Sequence, residues 1–278
     1  MFGITKQAFY KRIARAKIKE QMNEVILQNV AEIRKEMPKI GTRKLYEYLK
    51  PILLKLGIKI GRDALFKLLR SKQLLIKKTK RYHITTDSKH FFKTSPNLIK
   101  NIEIKHAEQV FVTDITYIKT DQAHAYLAIA TDAYSKKIMG WALEDNMKVG
   151  MVKEALNIEK KNCIHNNNSI IHHSDRGIQY CCPDYTEFAK KHDFIMSTTQ
   201  KYDPYENAIA ERINGILKYE FGLRKTIANI EIARKMMKQA VDIYNNKRLH
   251  WSLDLNTPQK VHEEYNNQQY KNYRKNAA

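Results

Sequence analysis

The chain has 278 residues, 43% of them hydrophobic, and a formal net charge of +21. That length can bury one large core or two modest ones, and so basic a balance favours polyanions, nucleic acid first. The longest apolar runs, such as residues 126–130, are far too short to span a bilayer, and no secretory leader is evident. Three cysteines, Cys163 and the vicinal pair Cys181 and Cys182, make no disulfide framework, so an intracellular, reducing compartment is expected.

The charge is lopsided. Residues 1–105 carry 26 lysines and arginines against 8 acids, the remainder 24 against 21. An AT-rich genome would raise the lysine total but would not concentrate it in one half, so the first 105 residues are the expected anion-binding part.

Residues 3–19 read as a short turn and a basic helix. Met22, Val25, Ile26, Val30, Ile33 and Met37 have helical spacing, and Pro38 and Gly41 end that helix. A second helix runs from Arg43 to Leu56 behind a Thr42 cap, with Pro51 expected to bend or split it. A third, Asp63 to Arg70, turns Leu65, Leu68 and Leu69 inward. This is a helix-turn-helix order, and Arg43, Lys44, Lys59, Arg62, Lys67 and Arg70 lie where a phosphate backbone could meet them. A plain three-helix bundle with a solvated basic face fits the same pattern. Residues 83–105 read as an extended basic linker.

From Glu108 the period switches to two. Strands are expected at 110–118, 124–131 and 136–143, then a helix at 147–160 and a strand at 169–174. A helix at 183–192, a strand at 193–196, a polar loop at 197–205, and helices at 206–220 and 227–245 follow. Three sequential antiparallel strands, then a helix and a fourth strand, describe an RNase H-like α/β order. The tail, 263–278, is polar and expected to be disordered.

Three acids stand out. Asp114 interrupts the apolar strand VFVTDITYI, and Asp175 follows the apolar pair Ile170–Ile171. Glu211 lies on a helix whose Ile209, Ile213 and Ile216 face a core. A second stripe on that helix carries Asn207, Glu211, Asn214 and Lys218. Carboxylates from two strands and a helix make an oxygen site suited to hard divalent cations such as Mg²⁺. Asp132, beside a turn, reads instead as a backbone cap, and Trp141 reads as core. A zinc site from His165, His172, His173 and the cysteine pair lacks any C-x-x-C or H-x₃₋₅-H spacing.

The segments FVTDITYI, IIHHSDRGIQY and NAIAERINGILKYE resemble the three catalytic boxes of DDE transposases, relatives of retroviral integrases, and most closely the insertion-sequence-three family. Sixty residues separate Asp114 from Asp175, and thirty-five separate Asp175 from Glu211. Lys218, seven after Glu211, matches a basic residue of that family. The resemblance runs from MFGITKQAFYKR to YNNKRLHWSLDLNTPQKV. One departure is Glu206-Asn207-Ala208, where the family has Asp-Asn-Ala.

The resemblance implies an RNase H-like catalytic domain with a mixed five-stranded sheet and flanking helices at 106–262, preceded by an all-α helix-turn-helix region at 1–82. It implies a transposase that cleaves element ends and joins the 3′-OH to another phosphodiester. Asp114, Asp175 and Glu211 would be catalytic and would hold two Mg²⁺ ions, with Mn²⁺ able to substitute. His173, Ser174 and Asn207 would support them, and Lys218, Lys201 and Tyr202 would touch DNA. Expected partners are duplex DNA, further copies of the chain on it, and an upstream-frame protein joined by frameshifting. The expected setting is a bacterial cytoplasm, on the nucleoid. Two rivals stay open: an RNase H-like nuclease, and a catalytically idle DNA-binding regulator. A retroviral integrase is disfavoured, because no cysteine precedes Cys163 for its N-terminal zinc module.

Overall fold

The structure, a computed structural model, describes residues 3, 5–77, 92, 94–164, 170–200 and 204–264. The chain divides into two compact units, Met1–Arg81 and Tyr82–Ala278. Among the described residues no helix is long and apolar enough to cross a membrane.

The first unit is all helical: α1 (Lys6–Glu36), α2 (Thr42–Lys55) and α3 (Arg62–Ser71). The two helices expected within residues 3–37 are one, because nothing between Lys19 and Met22 breaks a helix. Thr5 caps its start, its hydroxyl accepting from the Ala8 N–H at 3.3 Å. From Thr5 to Met22 α1 is exposed. Only its second half packs, with Ile26 and Val30 buried together with Leu45, Leu49, Leu53, Leu65 and Leu69. Pro51 does not split α2 as expected. It removes one backbone hydrogen bond, and the buried Leu45, Leu49 and Leu53 hold the helix on either side. Arg43, Arg62, Lys67 and Arg70 are exposed and Lys44 is half-buried.

The second unit is built on a five-stranded sheet. Its strands are β1 (Val110–Lys119), β2 (His124–Asp132), β3 (Ile138–Glu144), β4 (Ile170–Ser174) and β5 (Phe194–Thr198), in the order β3-β2-β1-β4-β5. The first three pair antiparallel and β4 and β5 join in parallel, which is the mixed sheet of an RNase H-like fold. Side chains alternate across β1. Phe111 faces a core with Met139, Met151, Leu156, Tyr185 and Phe194, drawn partly from α4 (Val149–Asn162) and α6 (Pro183–Lys191). Val110 and Val112 face the opposite side, with Ala210 of α7 (Ala208–Glu220). The short α5 (Ile178–Cys181) follows β4, and α8 (Ile230–Asn246) packs on β3. β3 starts at Ile138, later than expected, because Lys136 takes a left-handed turn at φ 62°.

Part of the expected linker is ordered on this unit. Leu98 N–H donates to Ser197 Oγ at 2.9 Å, Thr198 Oγ1 donates to Ser95 O at 2.7 Å, and Ile99 and Ile104 pack beside Val110 and Val112. The chain also returns to the sheet at its far end. His262 Nε2 lies 3.2 Å from Glu108 Oε1, and its Nδ1 lies 3.1 Å from Ser135 Oγ and 3.5 Å from Asp132 Oδ2, all fully buried. Burial pulls the His262 pKa down, but Asp132 and Glu108 more than offset it, so the net shift is upward. Asp132 caps its turn, accepting from Glu108 N–H at 3.0 Å and Ser135 N–H at 2.9 Å.

α4 reaches the sheet through Gly140. A Cβ there would fall 2.7 Å from the Glu159 backbone nitrogen and would meet the Ala155 carbonyl. Gly140→Ala is therefore expected to destabilise the protein by about 1–3 kcal/mol, as overpacked core sites do. Urea unfolding checks this, and an unchanged midpoint would show that α4 shifts freely.

Candidate active site

Parallel pairing sets the first two acids side by side. Thr113 of β1 is level with Ser174 of β4, so Asp114 in mid-strand and Asp175 just past the end of β4 share one end of the sheet. Gly177 follows closely because its N–H donates to Asp175 Oδ1 at 3.0 Å, and a Cβ at Gly177 would sit 3.0 Å from that same oxygen. α7 brings the third acid, with Ile213, Ile216 and Leu217 buried, Glu211 exposed and Lys218 half-buried.

The carboxyls feel one another. The Asp114 pKa is pushed up to about 8, chiefly by burial, then by Asp175 and Glu211. Hydrogen bonds from the Asn214 amide and the Ile115 N–H oppose that rise. Glu211 is raised by burial first and then by Asp175. Asn214 Nδ2 donates to Asp114 Oδ2 at 2.8 Å. Lys218 Nζ rests 4.5 Å from the centroid of the Tyr117 ring; burial lowers its pKa and Asp114 partly restores it. Sequence spacing showed Lys218 about two turns from Glu211. The fold places it within electrostatic reach of Asp114 instead.

The three expected supporting residues act on the backbone around the acids. His173 Nε2–H donates to the Glu206 carbonyl at 3.0 Å, and its Nδ1 accepts from Ser197 Oγ at 2.8 Å. That tautomer is neutral, and burial lowers the ring to about 4. Ser174 Oγ donates to the Asp175 carbonyl at 2.9 Å, and Asn207 Nδ2 to the Thr113 carbonyl at 3.0 Å. Glu206 does not cap α7; its carboxylate accepts from Gln200 N–H at 2.6 Å. His172 bonds Tyr185 Oη at 2.7 Å and lies 3.4 Å from Glu159, inside the core. Lys201 and Tyr202 lie outside the described residues. Sequence reasoning placed Asn214 on the polar stripe without giving it a task, although its spacing three after Glu211 was the available signal.

Among the described residues no three His, Cys, Asp or Glu side chains are drawn together into a finished metal site. The donor set nonetheless suits a hard cation. It holds three carboxyls and, beside Asp114 and Thr113, the amide oxygens of Asn214 and Asn207, both buried without a hydrogen-bond partner.

Residues 105–204 match the family described as "Integrase core domain", and residues 193–258 match a second family of the same description. "Insertion element IS600 uncharacterized 31 kDa protein" of Shigella sonnei is 30% identical over 95% of this chain and 97% of its own length. "Transposase InsF for insertion sequence IS3A" of Escherichia coli K12 is 29% identical over 66% of this chain and 64% of its own. The chain belongs to the DDE transposases of the IS3 type. As such it is a DNA transposase, and the sheet described above is its integrase core. A chain of the simian T-cell lymphotropic virus intasome, solved in complex with PP2A regulatory subunit B56 gamma, aligns over 84% of this transposase and 74% of itself. Its identity is 14% and its TM-score 0.49, a likeness too low to add to the sheet topology.

Proposed function

We propose that this transposase cleaves its element's ends and transfers the freed strands at a pair of divalent ions held by Asp114, Asp175 and Glu211. These three carboxyls are the side chains that would hold the ions. When bound, such ions ease deprotonation of the attacking oxygen and stabilise the leaving one. In the first step a water oxygen attacks phosphorus and the P–O3′ bond breaks, leaving a 3′-OH. In the second that hydroxyl oxygen attacks another phosphodiester, whose own 3′ oxygen leaves. The observation that carries this reading is the placement of Asp114 and Asp175 side by side at one end of the sheet, with Glu211 brought in on α7, whose Asn214 bonds Asp114; the upward shift of the Asp114 carboxyl, by burial and the two neighbouring acids, accords with it. Such crowding persists where a cation relieves it.

The chain's own residues position the substrate. Lys218, steadied on the Tyr117 ring, is a point charge for a phosphate near the scissile bond. Arg43, Lys44, Arg62, Lys67 and Arg70 of the helical unit, with Lys201 and Tyr202, supply the wider duplex contact. Assembly on two ends would call for further copies of the chain, and an upstream-frame protein would join as a partner or a fusion. The bacterial nucleoid would be the place of action.

The test is cleavage of a duplex carrying the element's own terminal sequence. Mg²⁺ or Mn²⁺ should be required, and chelation should stop the reaction. Because Asp114 must lose its proton to bind an ion, Mn²⁺ affinity should strengthen as pH rises from about 7 to about 9, with proton release on binding. Cleavage that persists in excess chelator would end the two-metal reading.

A further inference from the structure

Three polar contacts pin α7 against β1 at successive levels. Asn207 Nδ2 holds the Thr113 carbonyl at 3.0 Å, Asn214 Nδ2 holds Asp114 Oδ2 at 2.8 Å, and Lys218 Nζ sits 4.5 Å from the Tyr117 centroid. Only the second of these grips a carboxylate of the candidate metal site. Asn214 is 6% exposed, between Ile213 and Ile216, a position where an apolar side chain would be the ordinary choice. Its amide oxygen is buried and unpartnered, a state native proteins rarely tolerate without a reason.

A carboxylate in a metal site must present the correct oxygen in the correct rotamer, and groups that hydrogen-bond it set both. Asp114 has two such groups, the Ile115 N–H from its own strand and the Asn214 amide from the helix that also carries Glu211. One helix thus delivers the third acid and fixes the orientation of the first. A rotation or slide of α7 that moved Glu211 would also release Asp114.

We propose that Asn214 is a positioning residue of the metal site: its amide nitrogen locks the Asp114 carboxylate in orientation, and its unpaired amide oxygen offers an acceptor for a water or hydroxyl hydrogen in that site. The proposal rests on the metal-binding reading of Asp114, Asp175 and Glu211. A packing role alone would need neither polar atom.

The experiment uses the full chain carrying Asn214→Leu, which keeps the branched outline, adds some volume and removes both polar atoms. Four quantities are read: Mn²⁺ binding by calorimetry without DNA, affinity for the end duplex in chelator, thermal midpoint, and cleavage against Mg²⁺ concentration. The expected result is a thermal midpoint and DNA affinity like the wild type, with Mn²⁺ binding weaker by about tenfold or more, as removal of groups that orient metal ligands typically gives. The half-saturating Mg²⁺ concentration should rise by a similar factor, while the rate at saturating Mg²⁺ falls less. Wild-type Mn²⁺ affinity in Asn214→Leu would overturn the proposal. Should that variant melt early, Asn214→Ala gives the same reading with only atoms removed, and wild-type affinity there overturns the proposal equally. Asp114→Asn run alongside separates the two ideas. If it too binds Mn²⁺ normally, the metal site itself is wrong; if it alone loses binding, only the role of Asn214 fails.

Discussion

Replacing Asp114 with asparagine is expected to abolish strand cleavage and to make the metal-free protein more stable. The two effects have one origin. The Asp114 carboxyl has its pKa raised from 3.8 to about 8, with burial the largest cause and Asp175 next. An acid whose folded pKa lies above its unfolded value binds more protons when folded. Its contribution to stability therefore falls as pH rises through that window, from about 4 to about 8. Asparagine keeps the shape and carries no charge, so the gain should be absent near pH 4 and greatest above about pH 8. In cleavage the same change removes one of the carboxyls proposed to hold the ions. Several kcal/mol of charge stabilisation would be lost, or about 10³-fold or more in rate. Asp175→Asn and Glu211→Gln should lose cleavage likewise. Melting curves from pH 4 to 9 and an end-cleavage assay check the pair of effects. A variant of Asp114 that still cuts in Mg²⁺ removes that residue from the site, and one that melts lower at pH 8 contradicts the crowding of the acids.

Arg248→Met is expected to cost about 3–5 kcal/mol, the range for breaking a buried ion pair by removing one partner. Arg248 is 1% exposed and reaches Glu220 through two bonds of 2.7 Å, Nε to Oε2 and Nη2 to Oε1. Its Nη1 lies 2.8 Å from His250 Nε2, and its guanidinium lies 5.8 Å from the Tyr244 ring. Methionine would leave Glu220 with its charge largely sealed in, at the C-terminal end of α7, where the helix dipole already disfavours an anion. Adding Glu220→Gln should recover part of the loss, because the stranded charge is then gone. Urea unfolding of the two variants measures both. A loss under about 1 kcal/mol for Arg248→Met would mean the pair is no brace.

The parts legible in the sequence were those written as local periodicity. Alternation in VFVTDITYI gave β1, and the Ile209, Ile213, Ile216 stripe gave the buried face of α7. Asp132 was readable as a cap because a turn followed it, and Glu108 and Ser135 N–H do bond its carboxylate. What local pattern could not show was anything made by residues distant in sequence. The Asn214 amide meets Asp114 across 100 positions, and Arg248 meets Glu220 across 28. Lys218 reads in the sequence as a DNA contact, but nothing local shows that Tyr117, 101 positions earlier, lies beneath it. The continuity of α1 was missed for a different reason. Its first half is Lys- and Arg-rich and reads as a separate basic helix, and its Phe9, Tyr10, Ile13 and Ile18 stay exposed, so they do not extend the buried stripe that marks the second half. The ordered residues 94–105 were missed because three isoleucines in a Lys-rich stretch are a weak signal beside the charge.

The return of His262 to Glu108 and Asp132 also bears on how the protein is made. Those two carboxyls are synthesised early, and the buried imidazole that bonds them emerges from the ribosome more than a hundred residues later. Arg248 is likewise translated after all three proposed catalytic acids. A message cut short between codons 211 and 248 would thus encode every catalytic acid without either clasp, and its product would carry stranded buried charges that favour unfolding and proteolysis. The order of synthesis thus leaves the proposed catalytic acids in a fold that is not fastened until the last of these contacts has been made.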